Sequence, residues 1–226
     1  MSYSKEDFDT MMRNKLKRGD TFGFECKMCG RCCRNRSEPI LLTGTDVFRI
    51  AVALQMTPRD VLLKYTNADI GESSHVPIIY LKERLDGSCR LMKNGRCSVQ
   101  KSKPIVCALY PLGRIWNVKE ERFYYFSNGD MCPGSWKPKK RWTLQEWLDE
   151  FDIEKTESWT IEWNKLLGDI ALITAQMDIS RIDDAIAGYL TDIMYVSYDI
   201  DKPYIEQVRE NRERFKNDYR RFLSKK

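Results

Sequence analysis

The apolar and polar positions divide the chain into a mixed first part and a helical last part. Near the start, Phe8, Met11, Met12 and Leu16 recur at three-to-four spacing, which predicts a charged helix within residues 1–20. Pro39-Ile-Leu-Leu42 is a short apolar run and reads as extended. Thr43 and Thr57 each open a helix: Val47, Ile50, Ala51 and Leu54 share one face after the first, and Pro58 takes the opening helical position of the second, ahead of Val61, Leu62 and Tyr65. Val76–Leu81 and Arg122–Phe126 are rich in β-branched and aromatic residues and predict strands. Asp86-Gly87, Asn94-Gly95 and Asn128-Gly129 are turn signals, and Asn94-Gly95 is that of a tight hairpin.

From Thr143-Leu-Gln-Glu146, a capping box, the periodicity becomes helical over 144–175, 180–198 and 203–223. Trp147, Phe151, Trp159, Trp163 and Leu166 suit a helix face packed on a core rather than a cofactor box. No internal repeat, low-complexity stretch or flexible linker interrupts the pattern. The expected fold is α+β. A small cysteine-built metal domain with short hairpins and helices occupies residues 1–140, and a helical extension, 141–226, packs on it.

Composition narrows the class. Hydrophobic residues make up 42% and charged residues 31%, as in ordinary globular proteins. No apolar run approaches the roughly 20 residues needed to span a bilayer, and no apolar signal region opens the chain, so the cytoplasm is the expected compartment. Residues 1–139 carry 24 Lys and Arg against 15 Asp and Glu, whereas residues 140–226 carry 14 against 18. All eight cysteines lie in the basic part, where ligating thiolates would nearly cancel the excess charge. Lys27, Arg31, Arg34 and Arg36 therefore read as counter-charges, and nucleic acid is disfavoured as a partner.

The cysteines carry the chemistry. Cys26-x2-Cys29-x2-Cys32-Cys33 is followed by Cys89, Cys97, Cys107 and Cys132. Thiolates two residues apart in a glycine-containing turn aim at one point and suit a metal. An even count also suits disulfides, but a reducing compartment and a chain long enough to bury a core argue against them. All eight form the expected ligand pool. Cys32 and Cys33 point apart on extended backbone, so either two centres exist or one of the pair stands outside the coordination shell. Eight thiols fill two tetrahedral zinc sites, or one four-iron cluster with four left over. Cys26-x2-Cys29-x2-Cys32 with a remote Cys132-Pro133 follows the bacterial ferredoxin rhythm, though the remote cysteine lies about a hundred residues away. An iron–sulfur cluster, such as [4Fe–4S], is the first expectation and zinc the second.

Taken with Gly95-Arg-Cys97 and Lys103-Pro-Ile-Val-Cys107-Ala-Leu-Tyr-Pro111, the first run resembles the YkgJ-type cysteine-cluster family, whose members are described as zinc- or iron-chelating and carry a CxxCxxCC signature. The Leu42–Ala51 and Pro58–Tyr65 segments are similar too. The resemblance covers about residues 22–134 and leaves the helical tail outside. The cluster is also similar to that of the flagellin lysine-N-methylase group, which implies cluster-dependent methylation of a protein. Where the family has arginine before the third motif's proline, this chain has Lys103. That cation sits where thiolates need charge compensation, although Pro104 alone also reads as an ordinary helix start.

Other chemistry is thin. His75 is the single histidine and lies in a polar loop, so no histidine-based triad or zinc hydrolase site is expected. No glycine-rich phosphate loop follows a strand. Asp183-Asp184 and Asp199-x-Asp201 read as helix caps or solvated faces. The x2, x2 spacing departs from the x3, x2 spacing of radical-SAM enzymes. The expected function is an intracellular metal protein with a redox or cluster-assisted modification role and a protein substrate or redox partner. A SAM-dependent protein lysine N-methylase-like enzyme and a structural zinc interaction module are the alternatives.

Overall fold

Three helix starts close on the side chains that the sequence supplies for them. Thr43 accepts from the Asp46 backbone N–H while the Asp46 carboxylate accepts from that of Thr43. Thr143 and Glu146 repeat this exchange, and Thr57 accepts from the Asp60 N–H. Each cap satisfies donors that a helix leaves orphaned in its first turn. The structure, a computed structural model, describes residues 5–27, 29–34, 36, 38–127, 132–177 and 182–223.

In chain order the helices are α1 (Lys5–Arg13), α2 (Gly44–Leu54), α3 (Pro58–Tyr65), α4 (Ile105–Leu109), α5 (Leu144–Glu150), α6 (Ile153–Thr174), α7 (Asp184–Thr191) and α8 (Tyr204–Leu223). The strands are β1 (Thr21–Gly23), β2 (Leu41–Leu42), β3 (Thr66–Ile70), β4 (Pro77–Leu81), β5 (Met92–Lys93), β6 (Arg96–Cys97), β7 (Leu112–Asn117), β8 (Arg122–Ser127) and β9 (Arg141–Thr143). All sheets are small and antiparallel, and the last part is helical, so the fold is α+β. The chain groups into two compact units, one of Met1–Cys29 with Ile105–Lys155 and one of Gly30–Pro104 with Thr156–Lys226. Among the described residues no helix is long and apolar enough to cross a membrane.

The first unit pairs β7 with β8 and β1 with β9, setting Phe22 opposite Trp142. Its core gathers Phe24, Ile105, Leu109, Leu112, Tyr125, Leu144, Trp147, Leu148 and Ile153. The Trp147 Nε1–H donates to the Leu109 carbonyl at 3.0 Å, which satisfies the one polar atom of a buried indole. Two expectations are corrected here. Helix α1 ends at Arg13 rather than running on through Leu16, because Lys15 bridges to Phe126 and the Leu16 N–H donates to Tyr125, so the β8 backbone takes the next donors. The expected helix over 144–175 breaks between α5 and α6, with Asp152 at φ 51°. Phe151 and Ile153 both bury in the same core, and residues two apart on one helix do not face the same way.

The second unit orders its sheet β2-β4-β3 and adds the β5–β6 hairpin, whose Asn94 and Gly95 adopt φ of 49° and 75°, as a tight hairpin turn requires. Strand β3 carries no sequence signal: in Thr66-Asn-Ala-Asp-Ile70 only Thr66 is buried, and pairing with β4 alone makes it a strand. The core joins α2 and α3 to the later helices through Val47, Phe48, Ile50, Val61, Trp163, Leu166 and Tyr204. The Trp163 Nε1–H donates to the Met194 carbonyl. The expected helix over 180–198 resolves into α7 followed by a π-helical turn, Asp192–Val196. Residues 180 and 181, and the Asn128-Gly129 turn expected before Cys132, lie outside the described residues.

Candidate metal centre

Cys32 and Cys33 do not point apart. Gly30, at φ 71°, turns the chain into a short 3-10 helix, Arg31–Cys33, closed by the Cys33 N–H on the Gly30 carbonyl. A 3-10 turn swings successive side chains by about a third of a revolution rather than a half, and the two sulfurs stand 3.8 Å apart. The expectation of divergence held only for extended backbone.

Backbone pairing brings two further cysteines of the second unit to this turn. Arg34 returns to extended geometry and bridges to Ser88, and the Cys89 N–H donates to the Cys33 carbonyl at 2.8 Å. Cys89 is also bridged to Glu83 on its other side. The Met92 N–H donates back to the Cys89 carbonyl, and β5–β6 sets Met92 opposite Cys97. Cys89 is buried, Cys33 and Cys97 are half-buried, and Cys32 is exposed. The thiols feel one another. The hydrogen bond with Cys33, desolvation of its sulfur and the Cys33 charge hold the Cys32 thiol well above its ordinary range, against the opposing charge of Lys103. Burial raises Cys97, with contributions from Cys89 and Cys32, and Lys103 again opposes the shift. The Lys103 charge thus favours the ionised form of both thiols without outweighing the effects that raise them.

The other four cysteines belong to the first unit. Cys26 and Cys29 are exposed and follow β1 and the buried Phe24. The Glu25 N–H donates to the Gly134 carbonyl at 3.0 Å, which ties the start of the first cysteine run to the turn after Cys132. In that turn the Gly134 N–H donates to the Cys132 sulfur at 3.3 Å and the Ser135 N–H to its carbonyl. A Cβ at Gly134 would stand 2.7 Å from the Glu25 carbonyl oxygen, so only glycine allows this approach. Cys132 packs half-buried against the core that holds Ile105 and Leu109, and Cys107 lies between them on α4.

Each unit thus presents four thiols, and the single histidine, His75, belongs to the second unit. The Cys32 and Cys33 sulfurs stand 3.8 Å apart; among the described residues no three His, Cys, Asp or Glu side chains already converge to hold an ion. The donor chemistry fits a soft-ligand metal, since four thiolates without nitrogen or carboxylate select zinc or iron. His75 stands apart, with Nδ1 at 3.0 Å from the Thr174 carbonyl, and takes a structural role. Lys103, expected as a counter-charge from its place before Pro104, is the cation that opposes the shifts of Cys32 and Cys97. The residue that sequence reasoning missed is Arg84, whose side chain reaches four acceptors around Cys89; an arginine in a charged loop carries no signal of that.

Residues 25–133 match the family described as "CxxCxxCC: Putative zinc- or iron-chelating domain". The match agrees with the family expected from the cysteine pattern, and the matched stretch contains all eight cysteines. Its described property is metal chelation. No curated protein and no solved structure matches the chain.

Proposed function

We propose that the chain binds two metal centres, one held by Cys32, Cys33, Cys89 and Cys97 and the other by Cys26, Cys29, Cys107 and Cys132. The observation that carries this is the division of the eight cysteines, four into each compact unit, with the boundary falling between Cys29 and Gly30. Four thiolates close a tetrahedral site, and eight close two.

Zinc is the first metal in this reading. A tetrahedron with metal–sulfur bonds of about 2.3 Å has edges of about 3.8 Å, and the Cys32–Cys33 sulfur separation is 3.8 Å. A four-iron cluster places each thiolate on a different iron and spreads them more widely. Closed zinc sites would make the domain a structural module that presents a surface to a protein partner. Metal binding would then contribute directly to folding.

The second reading, an iron–sulfur cluster, is favoured by one observation in the first unit. The Gly134 N–H···S bond to Cys132 is the kind of contact that tunes cluster thiolates. With a cluster there, a redox role or cluster-assisted modification of a protein substrate follows. Protein purified without oxygen decides between them. Colourless protein with two zinc ions per chain supports the first reading, whereas brown protein with iron and acid-labile sulfide replaces it with the second. Metal-free protein that takes up neither metal ends both.

A further inference from the structure

The Cys89 turn is built around one guanidinium. Arg84 Nη1 donates to the Cys89 carbonyl at 2.7 Å and to Ser88 Oγ at 3.2 Å, and Nη2 donates to the carbonyls of Arg90 at 2.9 Å and Met92 at 2.7 Å. Its backbone closes the same turn, with the Arg84 N–H on the Ser88 carbonyl and the Gly87 N–H on the Arg84 carbonyl. Three carbonyls that converge this way repel one another unless a donor stands between them, and the planar fork of arginine spans them where an ammonium offers one point charge. The carbonyls it gathers belong to Cys89 itself, to Arg90 and to Met92 of β5, which pairs with Cys97.

We infer that Arg84 is the positioning residue of the second-unit metal centre: it ties the backbone of the Cys89 turn to Met92, the start of the hairpin that carries Cys97, and so fixes those two cysteines relative to one another before metal arrives. This rests on the two-centre reading. The hydrogen bonds of the Arg84 side chain go to three carbonyls and one hydroxyl, so it acts through the backbone of a ligand and of the hairpin beside it. The Cys33–Cys89 backbone bond and the Asp86–Ser88 contacts, in which the Ser88 N–H and Oγ–H both donate to Asp86 Oδ1, do not depend on it. Its removal therefore loosens the turn without dismantling the unit.

The test is a competition titration of zinc on the full chain against a chromophoric chelator, for the wild type, Arg84→Gln, Arg84→Lys and Cys97→Ser. Cobalt(II) spectra of each, and far-UV circular dichroism as the check of folding, accompany it. The expected result is two zinc ions in the wild type and one of them weakened about 10–100-fold in both Arg84 variants, the range typical of residues that orient ligands. The unweakened ion should match the one that Cys97→Ser retains, and the cobalt d–d bands of the weakened site should broaden. Arg84 variants that bind both ions as the wild type does overturn the inference, and so does equal weakening of both ions. A wild type that binds fewer than two ions overturns the two-centre reading itself, a failure distinguishable because it precedes any substitution.

Discussion

The Cys89 N–H donates to the Cys33 carbonyl at 2.8 Å, joining two cysteine segments far apart in the chain by a strand-like backbone bond. That contact converts a run of clustered cysteines and an isolated later one into neighbours. It acts on the backbone, so the placement of both residues does not depend on which way either sulfur turns.

Removal of single thiols should separate the two centres. Cys97→Ser or Cys33→Ser is expected to remove one metal ion per chain and leave the other, and Cys107→Ser or Cys132→Ser should remove the complementary one. Metal content of the purified variants checks this. Loss of both ions from any single substitution contradicts two independent sets.

Gly134→Ala should weaken the first-unit centre. The new methyl would stand 2.7 Å from the Glu25 carbonyl oxygen and 2.8 Å from the Phe24 ring. The turn then moves off the Cys26 segment and drags the N–H that donates to Cys132 with it. A fall of about tenfold in affinity at one ion, with the other unchanged, is the expected outcome in a chelator competition.

Gly44→Ala should destabilise the second unit by about 2–4 kcal/mol, the sum of overpacking and a broken hydrogen bond. A Cβ at Gly44 would stand 2.5 Å from the Met194 carbonyl oxygen and would press on the indole nitrogen of Trp163 that donates to it. Thr43→Ala next to it removes only the cap, at a cost of about 1 kcal/mol. Urea unfolding of both variants tests the ranking; a larger loss for Thr43→Ala would contradict it.

The thiols of Cys32 and Cys97 are raised above their ordinary value of 9.0 in the folded protein. In metal-free protein the unfolded chain therefore ionises first and binds fewer protons, so stability is present below pH about 9 and falls as pH rises through that range. With metal bound the sign reverses toward acid, because ligation displaces these thiol protons and affinity drops as pH falls. Chemical unfolding of metal-free protein between pH 7 and about 10, and metal release on acidification, check the two directions. Metal-free stability that increased above pH about 9 would contradict the first.

Much of this protein was legible from local pattern. Thr43, Thr57 and Thr143 announce their helices because a cap is satisfied within one turn. Asn94-Gly95 announces its hairpin because those two residues tolerate positive φ. The cysteine spacing announced a zinc- or iron-chelating domain because soft ligands at short intervals have few other uses.

What the sequence could not supply is what distant backbone decides. Strand β3 is polar and exists through its pairing with β4, and the break between α5 and α6 follows from Phe151 and Ile153 sharing one core. The convergence of Cys32 and Cys33 depends on a 3-10 turn set by Gly30, and the approach of Cys89 depends on a hydrogen bond to a remote carbonyl. Local propensity is written residue by residue, so spacing reveals it. Which thiols share a unit is settled by contacts between residues far apart in the chain, and only the folded chain brings those together.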